Sequence, residues 1–422
     1  MLILLDFFNF SKNLDNFMPP INQCTDRSYS DASRQEWKRN RQSYHNSYQA
    51  FQRSKPSQNS YYNPIAIDVQ NTTSARNYEQ IVVFGDSLSD TGNLSKALGG
   101  VFPPLPYFQG RFSNGPIWID QLAPKLGLNS TQVLNFAVVG ATTGRVNVGS
   151  LLAGSNLPIK LPGLLDEVDA FTALNFNGGN PKSLNKSLCV VFAGGNDFLA
   201  LPPTLFQGLA MGNLKSFIGL YGAIVQSVQN VATAVTNLAL QGAGTIAIAN
   251  LPNLGRTPLS IQQGTSLVAT AFSIGFNVVL EKTLEQLERS LRARSLNVDL
   301  VQVDLFSLGE SVAKRPQEFG FTNLTDPLIK QLANNPKNPQ GFFYWDDFHP
   351  TTQVHTLIAD TFARSLSKPI ASNVLASSIE PITALLSNGA TRAIAEKLLT
   401  QAQMILPTNA LKLLDSPVLA LR

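Results

Sequence analysis

Two short stretches carry residues able to do nucleophilic and acid–base chemistry. The first is FGDSLSDTGN, in which Ser87 follows an apolar run (Ile81, Val82, Val83, Phe84) and a glycine. A continuous apolar run of that kind reads as a strand buried on both faces. A hydroxyl at its carboxyl end stands where open α/β sheets put their chemistry. The second stretch is YWDDFHP. Asp346 and His349 are three residues apart, so in a turn or a first helical turn they share a side. A carboxylate so placed holds one imidazole nitrogen, fixes the tautomer and leaves the other nitrogen free as a base. Acyl transfer from a serine also needs donors for the oxyanion that forms on attack. Gly140 in NFAVVGATTG offers a backbone N–H without a side chain, and Asn196 in AGGND offers an amide; each ends an apolar run.

Plainer roles stand beside these. Gly140 is also readable as a packing glycine and Asn196 as a turn residue. His45 lies in a polar stretch and reads as solvated. His355 falls inside the helix expected after Pro350, with no carboxylate at matching spacing, and reads as a surface or helix-packing residue. Asp346, Asp347 and His349 lack a further histidine or carboxylate cluster to complete a ligand set, so no metal and no cofactor is expected. Asp86 reads as bracing its loop, and Asp347 as solvated or as a support behind the histidine. The G-x-S-x-G elbow of α/β-hydrolases fails at Ser89.

The elements that must position these groups recur along the chain. Apolar runs at 81–84, 133–139, 188–193, 245–249 and 298–303 read as strands, with helical spacing at 118–126, 217–240 and 276–291 between them. Strands alternating with helices imply an α/β fold, a parallel sheet covered on both faces. Ser89, Asp90 or Thr91 is expected to cap a helix after Ser87, and Thr351 or Thr352 the helix after His349. Three regions are expected: a polar extension over 1–77, a catalytic domain over 78–367, and a helical extension over 368–422. The first reads as disordered, with an interaction arm as the alternative. In the last, Ile394, Leu398, Ala402 and Ile405 share one helix face, which packs on the main domain or touches a membrane.

Bulk properties exclude several classes. The 422 residues carry a net charge of +4 with scattered basic groups, so nucleic acid is not an expected partner. Two cysteines, Cys24 and Cys189, make no disulfide framework, and Cys189 reads as a core residue. The opening MLILLDFFNFSKN has no basic flank, is broken by Asp6 and meets no small-residue cleavage site, so it is not expected to be an export signal. Nothing else approaches the length of a membrane span.

Taken together and in order, FGDSLSDTGN, NFAVVGATT, GGND and DDFHP resemble the four blocks of the SGNH hydrolases, the GDSL esterase/lipase family, over about residues 80–355. GRFSNGPIW (110–118), NLPNLGRTP (250–258) and FTNLTDP (321–327) look like connecting segments of the branch that includes plant and bacterial secreted lipases. The resemblance implies a three-layer α/β/α sandwich with a five-stranded parallel sheet in flavodoxin-like order. It implies Ser87 as nucleophile, His349 as general base and Asp346 as its orienting acid. The Ser87 N–H, the Gly140 N–H and the Asn196 side chain become the oxyanion donors. The implied activity is hydrolysis of a small-molecule or lipid carboxylic ester through an acyl-enzyme, without metal or organic cofactor. An acyltransferase using the same triad and a silent binding module of the same fold are the alternatives. Val139 stands where many relatives carry a second glycine, and the family's export signal is not matched. The loop VFPPLPYFQG (101–110) reads as an acyl-chain wall or as an ordinary packed loop.

Overall fold

Runs of β-branched and aromatic residues form the five strands: β1 Gln80–Gly85, β2 Val133–Asn135, β3 Ser187–Phe192, β4 Thr245–Ala249 and β5 Asp299–Val303. They appear in a computed structural model that describes residues 77–153, 160–176, 183–334 and 338–367. The expected extensions over 1–77 (apart from its last residue) and 368–422, with the membrane-touching helices proposed for the latter, lie outside the described residues.

All five strands are parallel, in the order β2-β1-β3-β4-β5. Register is set by side-chain alternation. Val82, Phe84, Cys189, Val191, Ile246 and Ile248 enter one core, with residues of the helices Leu164–Phe176, Leu214–Leu240 and Ser266–Ala293. Ile81, Val83, Leu188, Val190, Phe192, Ala247, Val301 and Val303 enter the other, against the helices Trp118–Lys125, Leu305–Lys314 and Thr352–Ser367. Both faces are therefore dry, which is why the strand sequences read as unbroken apolar runs. The result is the expected three-layer α/β/α arrangement.

Three expected elements differ in their boundaries by more than one residue. The second run was expected to stay a strand to residue 139, but β2 stops at Asn135. The Asn135 amide donates to the Ser89 carbonyl (2.7 Å) and its Oδ1 accepts the Ala137 N–H (2.9 Å), which diverts the backbone from the ladder. Residues beyond it still lean on β1, through Phe136 N–H to the Val83 carbonyl and Val138 N–H to the Gly85 carbonyl. The helix expected at 217 begins at Leu214, where the Asn213 side chain accepts the Lys215 N–H. The helix expected over 276–291 spans Ser266–Ala293; its first turns bury Ala269, Ala271, Phe272, Ser273 and Ile274, hiding the helical period. That helix is also long and apolar enough to cross a membrane, contrary to the sequence expectation, but 72% of its most apolar window is buried inside the fold.

The strand order makes β1 and β3 neighbours from which the chain departs in opposite directions. Their carboxyl ends flank the crevice where such sheets bind ligands. Within the second core, Trp118 stacks on Phe362 with centroids 4.4 Å apart and planes 10° from parallel, and joins two helices. Both rings are fully buried. Phe362→Ala is expected to lower stability by about 3–5 kcal/mol, read as a shift of the urea midpoint at unchanged m-value.

Candidate active site

β1 ends at Gly85, whose φ of +154° and close approach to β3 admit no side chain: a Cβ there would fall 2.2 Å from the Phe192 carbonyl oxygen. The chain then turns. The Asp86 carbonyl accepts the N–H groups of Ser89 and Asp90, and the Asp86 carboxylate accepts the Leu88 N–H at 3.0 Å. Burial pushes the Asp86 carboxyl up to about 6, against the pull of that N–H and of His349. Ser87 stands at the head of this turn. Asp90, one of three residues expected to cap the next helix, accepts the N–H groups of Gly92, Asn93 and Leu94.

Ser87 Oγ lies 2.8 Å from His349 Nε2. His349 Nδ1 lies 2.7 Å from Asp346 Oδ2 and 2.9 Å from Oδ1. Local chain chemistry makes this pairing. Asp346 Oδ1 accepts the backbone N–H groups of Phe348 (2.8 Å) and His349 (2.7 Å), and the His349 carbonyl accepts the Trp345 N–H (2.7 Å), closing a tight Asx-type turn. All three side chains are buried. Burial works to raise the Asp346 carboxyl, but His349 and the turn N–H groups outweigh it and hold the group below the usual carboxylate range. A hydroxyl, an imidazole and an ionised carboxylate in series allow the imidazole to take the hydroxyl proton.

The residues expected to cap the next helix do other work. Thr351 Oγ1 donates to the Phe342 carbonyl and Thr352 Oγ1 to the Pro116 carbonyl, tying the helix start to two loops. The segment GRFSNG, read only as a connection, is the seat of the histidine turn. Ser113 Oγ donates to the Pro350 carbonyl (2.9 Å) and Asn114 Oδ1 accepts the Thr352 N–H (2.8 Å). Tyr107 Oη donates to Asp346 Oδ2 at 2.8 Å. These pairs are separated by more than two hundred positions, and no sequence spacing announces them.

Gly140 has φ +80°, and a Cβ there would sit 2.7 Å from Asn147 Oδ1 and 3.0 Å from the Gly149 nitrogen. Asn147 holds this loop by donating to the Val139 and Pro162 carbonyls. Asn196 is buried, and its amide donates to the Ala141 carbonyl at 3.0 Å, beside Gly140. Three carboxylates hold the surrounding backbone. Glu167 accepts the Gly85 N–H (2.8 Å) and the Val138 N–H (3.1 Å), and Asp90 accepts the Val139 N–H. Asp197 accepts the Thr143 N–H, the Thr143 hydroxyl and the Ser227 hydroxyl. Burial raises the pKa of all three, that of Glu167 well above the usual range. Glu167 and Asp197 were not singled out from sequence; Glu167 stands between Asp166 and Asp169 in LLDEVDAF, and Asp197 was only the last letter of GGND.

Two residues stand apart. Asp347 accepts Lys330 Nζ at 2.7 Å and Gln262 Nε2 at 3.0 Å, pointing away from the imidazole. His355 is fully buried, neither ring nitrogen has a hydrogen-bond partner, and burial with the nearby His349 pushes it down to about 3. It is the helix-packing residue rather than the surface one. In the loop over 101–110, Phe102 and Tyr107 pack with Val138 and Val139 against Leu94, Phe112 and Leu161. The Phe112 ring lies 5.1 Å from that of His349.

A family profile described as GDSL-like lipase/acylhydrolase matches residues 81–362. The chain belongs to this family. It is a hydrolase of the esterase, lipase and acyltransferase type found there. It is 27% identical to a phosphatidylcholine-sterol acyltransferase of Aeromonas hydrophila, over 71% of this chain and 93% of that protein. It is 26% identical to a GDSL esterase/lipase of Arabidopsis thaliana, over 66% of this chain and 87% of that one. A carbohydrate acetylesterase structure, Est24 of Sinorhizobium meliloti, is 12% identical with a TM-score of 0.36, over 68% of this chain and 98% of that one.

A side chain at residue 140 would meet both the left-handed backbone and Asn147. Gly140→Ala is expected to cost about 1–2 kcal/mol of stability, measured by chemical denaturation.

Proposed function

We propose that this GDSL hydrolase cleaves carboxylic esters through an acyl-enzyme on Ser87. One observation carries the reading: the unbroken series from Ser87 Oγ to His349 Nε2, and from His349 Nδ1 to the Asp346 carboxylate, at 2.7–2.8 Å. His349 takes the Ser87 proton as Oγ attacks the ester carbonyl, and Asp346 stabilises the imidazolium that forms. The developing oxyanion is met by the Ser87 N–H, the Gly140 N–H and the Asn196 amide. His349 then gives its proton to the departing alcohol. Water, deprotonated in turn by His349, releases the acid and restores Ser87. A lipid ester as substrate is favoured by the family alone, whose profile is described as lipase/acylhydrolase.

A second reading passes the acyl group to an alcohol instead of water. It is favoured by the 27% identity to a protein named phosphatidylcholine-sterol acyltransferase. The same triad serves both, so product analysis with added alcohol separates them. A silent binding module would have no need to keep all three groups in hydrogen-bond contact.

The decisive experiment is a panel of aryl esters from acetyl to palmitoyl, with labelling by an active-site phosphonate, on wild type and Ser87→Ala. The wild type should be labelled and turn over esters. Ser87→Ala should lose label and at least about a thousandfold in kcat. An unlabelled wild type refutes the reading.

Only neutral imidazole accepts the serine proton, and Asp346 is already ionised well below neutrality. Activity as kcat/KM should therefore rise with pH as the imidazole becomes neutral. Asp86, pushed up to about 6 by burial, loses its proton in the same direction. An Asp86→Asn variant that keeps the rise assigns it to the imidazole.

A further inference from the structure

The Asp346 carboxylate is fully engaged. Oδ1 accepts the N–H groups of Phe348 and His349, His349 Nδ1 approaches both oxygens, and Tyr107 Oη donates to Oδ2 at 2.8 Å. The bond from Tyr107 enters from 239 positions away, outside the turn that makes the others. Its ring is held in place: centroids lie 5.5 Å from Phe112 and 5.7 Å from Trp345, and Phe112 in turn flanks His349 at 5.1 Å. Burial first, then the charge and hydrogen bond of Asp346, hold the phenol well above its ordinary pKa, so it remains a donor.

We propose that Tyr107 is a positioning residue of the site: its hydroxyl orients the Asp346 carboxylate toward His349 Nδ1 and draws off part of its charge, setting how tightly the imidazole holds its proton. The proposal rests on the reading of Ser87, His349 and Asp346 as the catalytic groups. Tyr107 acts through Asp346: its hydroxyl bonds that carboxylate rather than Ser87 or His349.

The other titratable groups near this set are Asp86 after β1, Asp347 in the histidine loop and His355 on the following helix. Asp347 is held by Lys330, and His355 stays neutral by burial. Removing the Tyr107 hydroxyl leaves these arrangements in place. It does change the charge on Asp346. A donor spreads that charge, so without it the carboxylate favours imidazolium more strongly, and His349 loses its proton at higher pH.

Tyr107→Phe keeps the ring and removes only the donor. The test measures aryl acetate hydrolysis and phosphonate labelling as a function of pH on the full chain. It uses wild type, Tyr107→Phe, Asp346→Asn and the double variant, with thermal melting to report folding. Tyr107→Phe is expected to move the acid limb of kcat/KM upward by about half a pH unit or more, and to lower plateau kcat about tenfold with KM within about twofold. In the Asp346→Asn background the same change should have little further effect, because the two act as one unit. A folded Tyr107→Phe with an unmoved limb and unchanged kcat overturns the proposal, as does the same factor lost in both backgrounds. In either case the wild type still labels, so the catalytic reading stands. A wild type that is not labelled overturns both.

Discussion

A carboxylate taken out of water must be met by donors, and at the carboxyl edge of this sheet the donors are largely loop backbone N–H groups. Asp90 takes those of Gly92, Asn93, Leu94 and Val139; Glu167 takes those of Gly85 and Val138; Asp197 takes that of Thr143; Asp346 takes those of Phe348 and His349. Leaving buried Asp90, Glu167 or Asp346 unpaired would cost several kcal/mol, and half-buried Asp197 less, so each loop has a reason to stay where its acid needs it. Glu167 matters most for registry. One of its oxygens holds the end of β1, and the other holds the chain leading to Gly140, so the Ser87 turn and the glycine loop are fixed to a common point.

The four acids separate by what else they touch. Desolvation dominates for Asp90, Glu167 and Asp197, whose pKa values rise despite their donors. Asp346 is buried too but falls, because a histidine that can carry charge is added to the same kind of N–H cradle. The bracing acids and the acid of the Ser87 site thus share one construction, and a single neighbour divides them. The doubly buried sheet makes this workable. With both faces dry, the strand ends cannot slide, and loops of small residues hold their shape on a rigid edge.

What could be read from the sequence follows the range of the forces involved. The central strands were legible because burial on both faces leaves an uninterrupted apolar run in β1, β3 and β4. The edge strand β2 was less so: Leu134 is 41% exposed, and Asn135 ends the ladder through side-chain bonds that composition does not reveal. The Asp346–His349 turn was legible since both partners lie within three residues. Tyr107, Glu167 and Asp197 were not, because each owes its place to a partner brought near only by the folded sheet. Ser113 and Asn114 seat the histidine turn for the same reason, although nothing in GRFSNG distinguishes a seat from a connection.

The two described histidines show how little residue type decides. His349 and His355 are six positions apart, and both are buried. His349 has a carboxylate on one nitrogen and a hydroxyl on the other, so both ring nitrogens meet polar partners. His355 has a partner on neither nitrogen and faces the possible charge of His349, so a proton there would be opposed by both desolvation and repulsion. It is a neutral packing ring down to about pH 3. Its silence suits the neighbouring site, since a second imidazolium that close would oppose the charge His349 would carry in the proposed transfer of the serine proton. The difference lies in Asp346 at three residues' distance and Ser87 at the far end of the chain.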